Sequence, residues 1–296
     1  MSMKNHLLGL YEKALNPAES WSEHLRKAKA IGFDFLEISI DESEVRLARL
    51  DWTREEMAAL RQSCFEAEIG FQSMCLSAHR RFPFGSADPS VRDKAYEIMQ
   101  KAIDFAVFMG IRVIQLAGYD VYYEPSTPDS VRRFQEGINW AVKQAAQKQV
   151  MLAMEIMDTS FLNSISKHMA YEAMLHSPWY KVYPDVGNIS AWPENNVDLE
   201  FAQGVSSIVA VHLKDTLAVT NKFAGKFKGV PFGTGCVDFP KRFGQLEQLG
   251  YTGPYMIEMW YEEGSDDMEQ IRHAKTWLEQ QFEIGTETQD AVLHRT

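Results

Sequence analysis

Cysteine is scarce in this chain: Cys64, Cys75 and Cys236 are the three present, odd in number and widely spaced. That excludes a disulfide framework and a cysteine-based zinc cluster, and it fits reduced thiols in the cytoplasm. Long apolar runs are also missing. No stretch reaches the roughly 18 residues of a membrane-spanning helix, and the start, Met1-Ser-Met-Lys-Asn-His-Leu-Leu-Gly9, lacks the apolar centre of a signal peptide. Basic runs are absent as well, and the formal net charge is −11, so a nucleic-acid backbone finds no electrostatic stripe to follow. Internal repeats, low-complexity tracts and Pro/Ser linkers are lacking, which leaves one domain over residues 1–284 and a polar C-terminal tail over 285–296.

The residues that are present describe an ordinary globular protein: 45% are hydrophobic and 24% charged, enough to bury a sizeable core. Short β-rich runs alternate with amphipathic stretches. Strands are predicted at Leu7–Tyr11, Phe33–Ile40, Gly70–Ser77 and Arg112–Leu116, then in four further runs ending near Glu155, Asp185, His212 and Glu258. Helices are predicted at Trp21–Ile31, Thr53–Glu68, Ser90–Met109, Pro128–Lys148, Ser164–His176, Leu199–Val205, Phe239–Leu249 and Met268–Glu283. Thr53-Arg-Glu-Glu56 fits a capping box, Asp238 is placed to cap the helix after it, and Gly32, Gly110 and Gly250 sit where helix ends favour a left-handed residue. Eight such units favour an α/β fold, a single closed (β/α)8 TIM barrel, over an open doubly wound sheet.

Val150-Met-Leu-Ala-Met-Glu155, Lys181-Val-Tyr-Pro-Asp185, Ile208-Val-Ala-Val-His212 and Pro254-Tyr-Met-Ile-Glu258 each end an apolar run on a carboxylate or imidazole. Strand ends of a βα barrel converge on one rim, so these four can surround one ion. Two Glu, one Asp and one His suit a single divalent cation, with positions left for a substrate. Each also has a plain structural reading. Glu155 and Glu258, in apolar company, could be satisfied by salt bridges, His212 could be a core histidine, and Asp185 before Val186-Gly-Asn188 could cap a turn.

Longer blocks carry a resemblance: Leu8-Gly-Leu-Tyr-Glu-Lys-Ala-Leu15, Ser73-Met-Cys-Leu-Ser-Ala-His-Arg-Arg-Phe-Pro83, Ile114-Gln-Leu-Ala-Gly-Tyr-Asp-Val-Tyr-Tyr123, Ala153-Met-Glu-Ile-Met-Asp158, Asn163-Ser-Ile-Ser-Lys167, Tyr183-Pro-Asp-Val-Gly-Asn188, Val211-His-Leu-Lys-Asp-Thr216 and Ile257-Glu-Met-Trp260. Through them the chain resembles the L-ribulose-5-phosphate (L-xylulose-5-phosphate) 3-epimerases of the xylose isomerase-like TIM-barrel superfamily, some relatives of which are labelled hexulose-6-phosphate isomerases. Gly233-Thr-Gly235 departs from the usual Gly-Glu-Gly.

The resemblance implies metal ligands at Glu155, Asp185, His212 and Glu258, and one divalent ion (Mn²⁺, Mg²⁺, Co²⁺ or Zn²⁺). It implies C3 epimerisation of a ketopentose 5-phosphate, L-xylulose 5-phosphate to L-ribulose 5-phosphate, in L-ascorbate or L-gulonate catabolism. Inversion needs a base on each face, and Glu155 and Glu258 are the expected pair, acting through a metal-stabilised enediolate. Substrate contacts are expected from His79, Arg80, Arg81, Asp158, Asn188, Lys214, Lys226 and Lys228. Relatives suggest a homodimer. The rival readings are an aldose/ketose isomerase acting on a sugar phosphate and a sugar-phosphate sensor without chemistry. An apurinic endonuclease needs more histidine ligands than His79 and His212, the strand-end pair among eight histidines.

Overall fold

The protein is described by a computed structural model over residues 3–293. Eight parallel strands form one sheet: β1 (Leu8–Tyr11), β2 (Phe35–Ile40), β3 (Gly70–Leu76), β4 (Val113–Leu116), β5 (Met151–Glu155), β6 (Tyr180–Tyr183), β7 (Val211–Leu213) and β8 (Tyr255–Ile257). Their order is β6-β5-β4-β3-β2-β1-β8-β7. The β6–β7 seam is closed by isolated parallel bridges, Val182 with Ile208 and Asp185 with His212. Two of the expected ligands therefore face each other across the seam. His212 N–H donates to the Pro184 carbonyl at 3.0 Å.

The helices are α1 (Trp21–Ile31), α2 (Glu44–Leu47), α3 (Arg54–Ala67), α4 (Pro89–Met109), α5 (Pro128–Gln147), α6 (Ile165–Leu175), α7 (Val186–Ser190), α8 (Val197–Gly204), α9 (Phe239–Gln248) and α10 (Asp267–Leu293). Local chemistry sets their ends. Thr53 and Glu56 form the predicted capping box, Asp238 caps α9 through the Lys241 N–H, and Gly32 and Gly110 end α1 and α4 in the left-handed region. The predicted elements are all present within a few residues, and the sequence missed only very short helices such as α2 and α7. The last helix differs more. It runs through Gly285 and on to Leu293, because the absence of a side chain at Gly285 lets it cross the Pro240 backbone; a Cβ there would lie 2.1 Å from the Pro240 oxygen. Thr286 is buried in that crossing, so the segment read as a polar tail continues the helix, while residues 294–296 lie outside the described residues.

Strand residues alternate between two cores. Leu10, Leu36, Ile38, Met74, Ile114, Leu152 and Val182 belong to the large apolar layer under the helices, where each buried side chain contributes about 1.5–3 kcal/mol. The other parity faces the barrel axis: Tyr11, Phe35, Cys75 and Met256 form one cluster, and Ala153 and Tyr183 belong to another. A Cβ on Gly9 would come within 2.3 Å of the Phe35 ring, so glycine at this position admits the ring. The same inward parity carries Glu37, Ser73, Gln115, Glu155 and His212, all buried. Among the described residues no helix is long and apolar enough to cross a membrane.

Candidate active site

Glu155 is the last residue of β5, Asp185 follows β6 by two, His212 is the middle of β7, and Glu258 follows β8. One ligand atom from each lies within 4.8 Å of the others. Exposure is 6% for Glu155, 0% for Asp185 and His212, and 8% for Glu258. Three carboxylates so confined cost several kcal/mol apiece unless a positive charge compensates them.

One resident cation is Lys214, also on the inward parity. Its Nζ lies 2.8 Å from Asp185 Oδ2 and 3.0 Å from Glu258 Oε2. Neither oxygen accepts a well-oriented hydrogen bond, however, and His212 Nδ1 has no hydrogen-bond partner although Glu155 Oε1 and Glu258 Oε2 each lie 3.6 Å away. Unpartnered buried donor atoms converging on one point are what a metal ion would satisfy. The oxygen-rich set with one imidazole suits a divalent cation, and one lysine leaves the carboxylates in excess. These residues fit such an ion.

The carboxylates are not electrostatically equivalent. Burial raises Glu155 above its ordinary range, opposed by the nearby His212 imidazole. Burial likewise pushes Asp185 up to about 7 despite the Lys214 ammonium. Glu258 is equally buried, yet Lys214 and then His212 hold it well below the usual range. Gln115 donates its amide N–H to Glu155 Oε2 and orients that carboxylate.

A cleft over the cluster is lined by Glu155, Asp158, Asn188, Lys214 and Glu258, with Lys13, Arg80 and Lys228 as further cations beside Lys214. Arg80 lies over the Tyr119 and Tyr122 rings at 5.5 and 4.8 Å and donates to the Tyr119 hydroxyl at 3.3 Å. That hydroxyl donates in turn to Asp158. Asn188 donates to the Ile156 carbonyl at 2.9 Å, leaving its own carbonyl oxygen unpartnered. Lys228 Nζ lies 5.7 Å from the Trp260 ring. A second cavity of about 500 Å³ adjoins the cleft, sharing Lys214, Glu258 and Trp260 with it.

Three expected contact residues point elsewhere. His79 is packed against Phe84 with ring centres 4.8 Å apart, its Nε2–H donates to the Ala95 carbonyl at 3.1 Å, and burial drives its pKa down to about 4. It is a neutral core histidine. Arg81 turns outward to Glu44 at 2.6 Å. Lys226 is exposed, and its backbone pairs with Leu217 in a surface bridge instead of lining the cleft. Sequence reasoning missed Lys13, Gln115 and Glu37, although each shares the inward strand parity or follows a strand end, which was the available signal.

A family profile described as a xylose isomerase-like TIM barrel matches residues 25–281. The chain belongs to that family. L-ribulose-5-phosphate 3-epimerase UlaE of Escherichia coli (strain SE11) is 52% identical over 278 residues, which cover 94% of this chain and 95% of UlaE. Among solved structures, an L-ribulose 3-epimerase superposes with a TM-score of 0.74 at 19% identity, over 96% of this chain and 97% of the other. A xylose isomerase-like TIM barrel protein from Mycobacterium smegmatis, in complex with magnesium, gives 0.70 at 16% identity over 97% and 99%. At these identities the two structures report a shared barrel.

Proposed function

We propose that the protein is a divalent-metal-dependent 3-epimerase that interconverts L-xylulose 5-phosphate and L-ribulose 5-phosphate in L-ascorbate or L-gulonate catabolism. The observation that carries this reading is that Glu155 and Glu258, from β5 and β8, belong to one ligand cluster and also line one cleft. The relative at 52% identity supports the choice of substrate. When bound, the ion supplies Lewis-acid polarisation of the ketone. Asp185 and His212 serve as ligands only. Glu155, oriented by Gln115, and Glu258, beside Lys214, address opposite faces of C3, one taking the proton and the other returning it.

Glu155 and Glu258 exchange proton-donor and proton-acceptor roles when the reaction reverses. Arg80, Lys228 and Lys13 are the groups for the phosphate. Lys228 is held below the ordinary lysine range by burial and by the charge of Arg80, a repulsion that a bound phosphate relieves. Asp158, Asn188 and Lys214 remain for the sugar hydroxyls and the carbonyl. We also propose a cytoplasmic location, supported by three free cysteines, and a homodimer, supported by the resemblance.

The test is turnover of L-xylulose 5-phosphate with and without chelator, and by the Glu155→Gln and Glu258→Gln variants. Epimerisation is expected to vanish in chelator and to return with Mn²⁺, Mg²⁺, Co²⁺ or Zn²⁺. Each variant is expected to lose on the order of 10²- to 10⁴-fold in rate. Activity in chelator overturns the metal reading, and a near-normal rate in either variant overturns the two-base scheme.

A further inference from the structure

Glu37 is the one fully buried carboxylate of β2, in Phe35-Leu-Glu-Ile-Ser-Ile40, a strand whose other members are apolar apart from Ser39. Such a residue costs stability unless something compensates it. Its Oε1 lies 3.1 Å from His212 Nε2, and its Oε2 accepts the Ser73 hydroxyl at 2.6 Å. The cluster is on the other side of the imidazole ring: Nδ1 faces Glu155 and Glu258, each at 3.6 Å, and has no hydrogen-bond partner. Glu37 therefore touches His212 from behind and is not itself a member of the ligand set.

We propose that Glu37 is a positioning residue that fixes the His212 tautomer, so that Nδ1 is the ligating nitrogen. A carboxylate offers only acceptors, so the hydrogen shared at 3.1 Å belongs to Nε2 and the lone pair is left on Nδ1. The opposite tautomer would aim an N–H at the cluster and leave two lone pairs opposed on the Glu37 side. A hydrogen bond to a carboxylate also makes the imidazole a stronger donor and fixes its plane.

The fold is built to hold this contact. Leu36 pairs with Phe71 but Glu37 pairs with Ser73, so a bulge at Gln72 brings Ser73 opposite Glu37. Ser73 then occupies the second carboxylate oxygen and keeps the first on His212. The Tyr183 ring closes the remaining side, with its centre 4.4 Å from that of the imidazole and the planes at 65°. The His212 ring is thus held by a carboxylate behind and an aromatic edge beside it.

This assignment rests on the reading of the cluster as a metal site, and the two can fail separately. The probe is Mn²⁺ binding to wild type and Glu37→Gln by calorimetry, alongside thermal unfolding. A second measurement is the histidine ¹⁵N spectrum of Mg²⁺-loaded wild type, which needs no variant to fold. Glu37→Gln is expected to weaken Mn²⁺ binding about 10- to 100-fold with the unfolding midpoint little changed, a split that a merely structural role would not produce. His212 is expected to carry its hydrogen on Nε2. Wild-type Mn²⁺ affinity in a folded Glu37→Gln, or a hydrogen on Nδ1 of wild type, overturns the role of Glu37 while leaving the metal site intact. Absence of Mn²⁺ binding by wild type overturns the metal reading itself.

Discussion

Asp185 divides its two oxygens between two tasks. Oδ1 accepts the Asn188 N–H at 2.8 Å and caps α7, while Oδ2 faces Lys214 within the cluster. The turn-capping reading of this residue therefore holds through Oδ1, and Oδ2 is left free for the ligand role proposed above. With burial pushing this carboxyl up to about 7, a proton would compete with the proposed metal for Oδ2. The folded value lies above the unfolded one of about 3.9, so the group favours folding at low pH and that contribution is lost as pH rises through about 7. A bound cation reverses the balance by stabilising the ionised form. Mn²⁺ affinity is accordingly expected to rise from pH 6 to pH 8, measured calorimetrically in buffers of different ionisation enthalpy. A flat profile would contradict the assignment.

The same scale shows why some residues were legible and others not. Glu155, Asp185, His212 and Glu258 were legible because residue type and strand-end position coincide at all four. Glu37 was not, because it sits inside a strand, and only the identity of its partner across the barrel gives it meaning. His79 and Arg81 follow β3 just as Arg80 does, yet only Arg80 lines the cleft. Consecutive residues of the 3-10 turn Ala78–Arg80 point in different directions, and sequence position does not say which faces the rim.

At the level of elements, one side chain gathers the later part of the segment between β7 and α9. Asp215 accepts the backbone N–H groups of Gly233 at 2.9 Å, Gly235 at 2.8 Å and Val237 at 3.3 Å. The approach is so close that a Cβ on Gly235 would lie 2.1 Å from Asp215 Oδ1 and 2.3 Å from the Thr216 oxygen. Thr234, where the family usually has Glu, contributes a hydroxyl donated to the Pro231 carbonyl at 2.8 Å, so the exchange leaves the glycine frame in place. Gly235→Ala is expected to cost about 1–3 kcal/mol in denaturant unfolding. Gly70→Ala is the control, since its nearest new neighbour is 3.8 Å away, and it should be close to neutral. Equal effects would contradict the close-packing account. The extent of α10 belongs to this scale as well: Gly-Thr-Glu-Thr at 285–288 has the composition of a chain end, and only the contact of Gly285 with Pro240 explains why the helix continues.

Across the whole molecule, a chain of net charge −11 gathers Lys13, Arg80, Lys214 and Lys228 at a single cleft. Those cations would give a phosphate-bearing substrate partners at one face of the barrel that an acidic surface does not offer elsewhere. The barrel itself was legible because eight alternations of pattern survive errors at any one boundary. The measurement that bears most directly on the function is the NMR spectrum of L-xylulose 5-phosphate incubated with the Mg²⁺-loaded protein in D₂O. The expected product is L-ribulose 5-phosphate carrying deuterium at C3 only. An aldose product with deuterium at C1 or C2, or a substrate recovered without exchange at C3, would contradict the account.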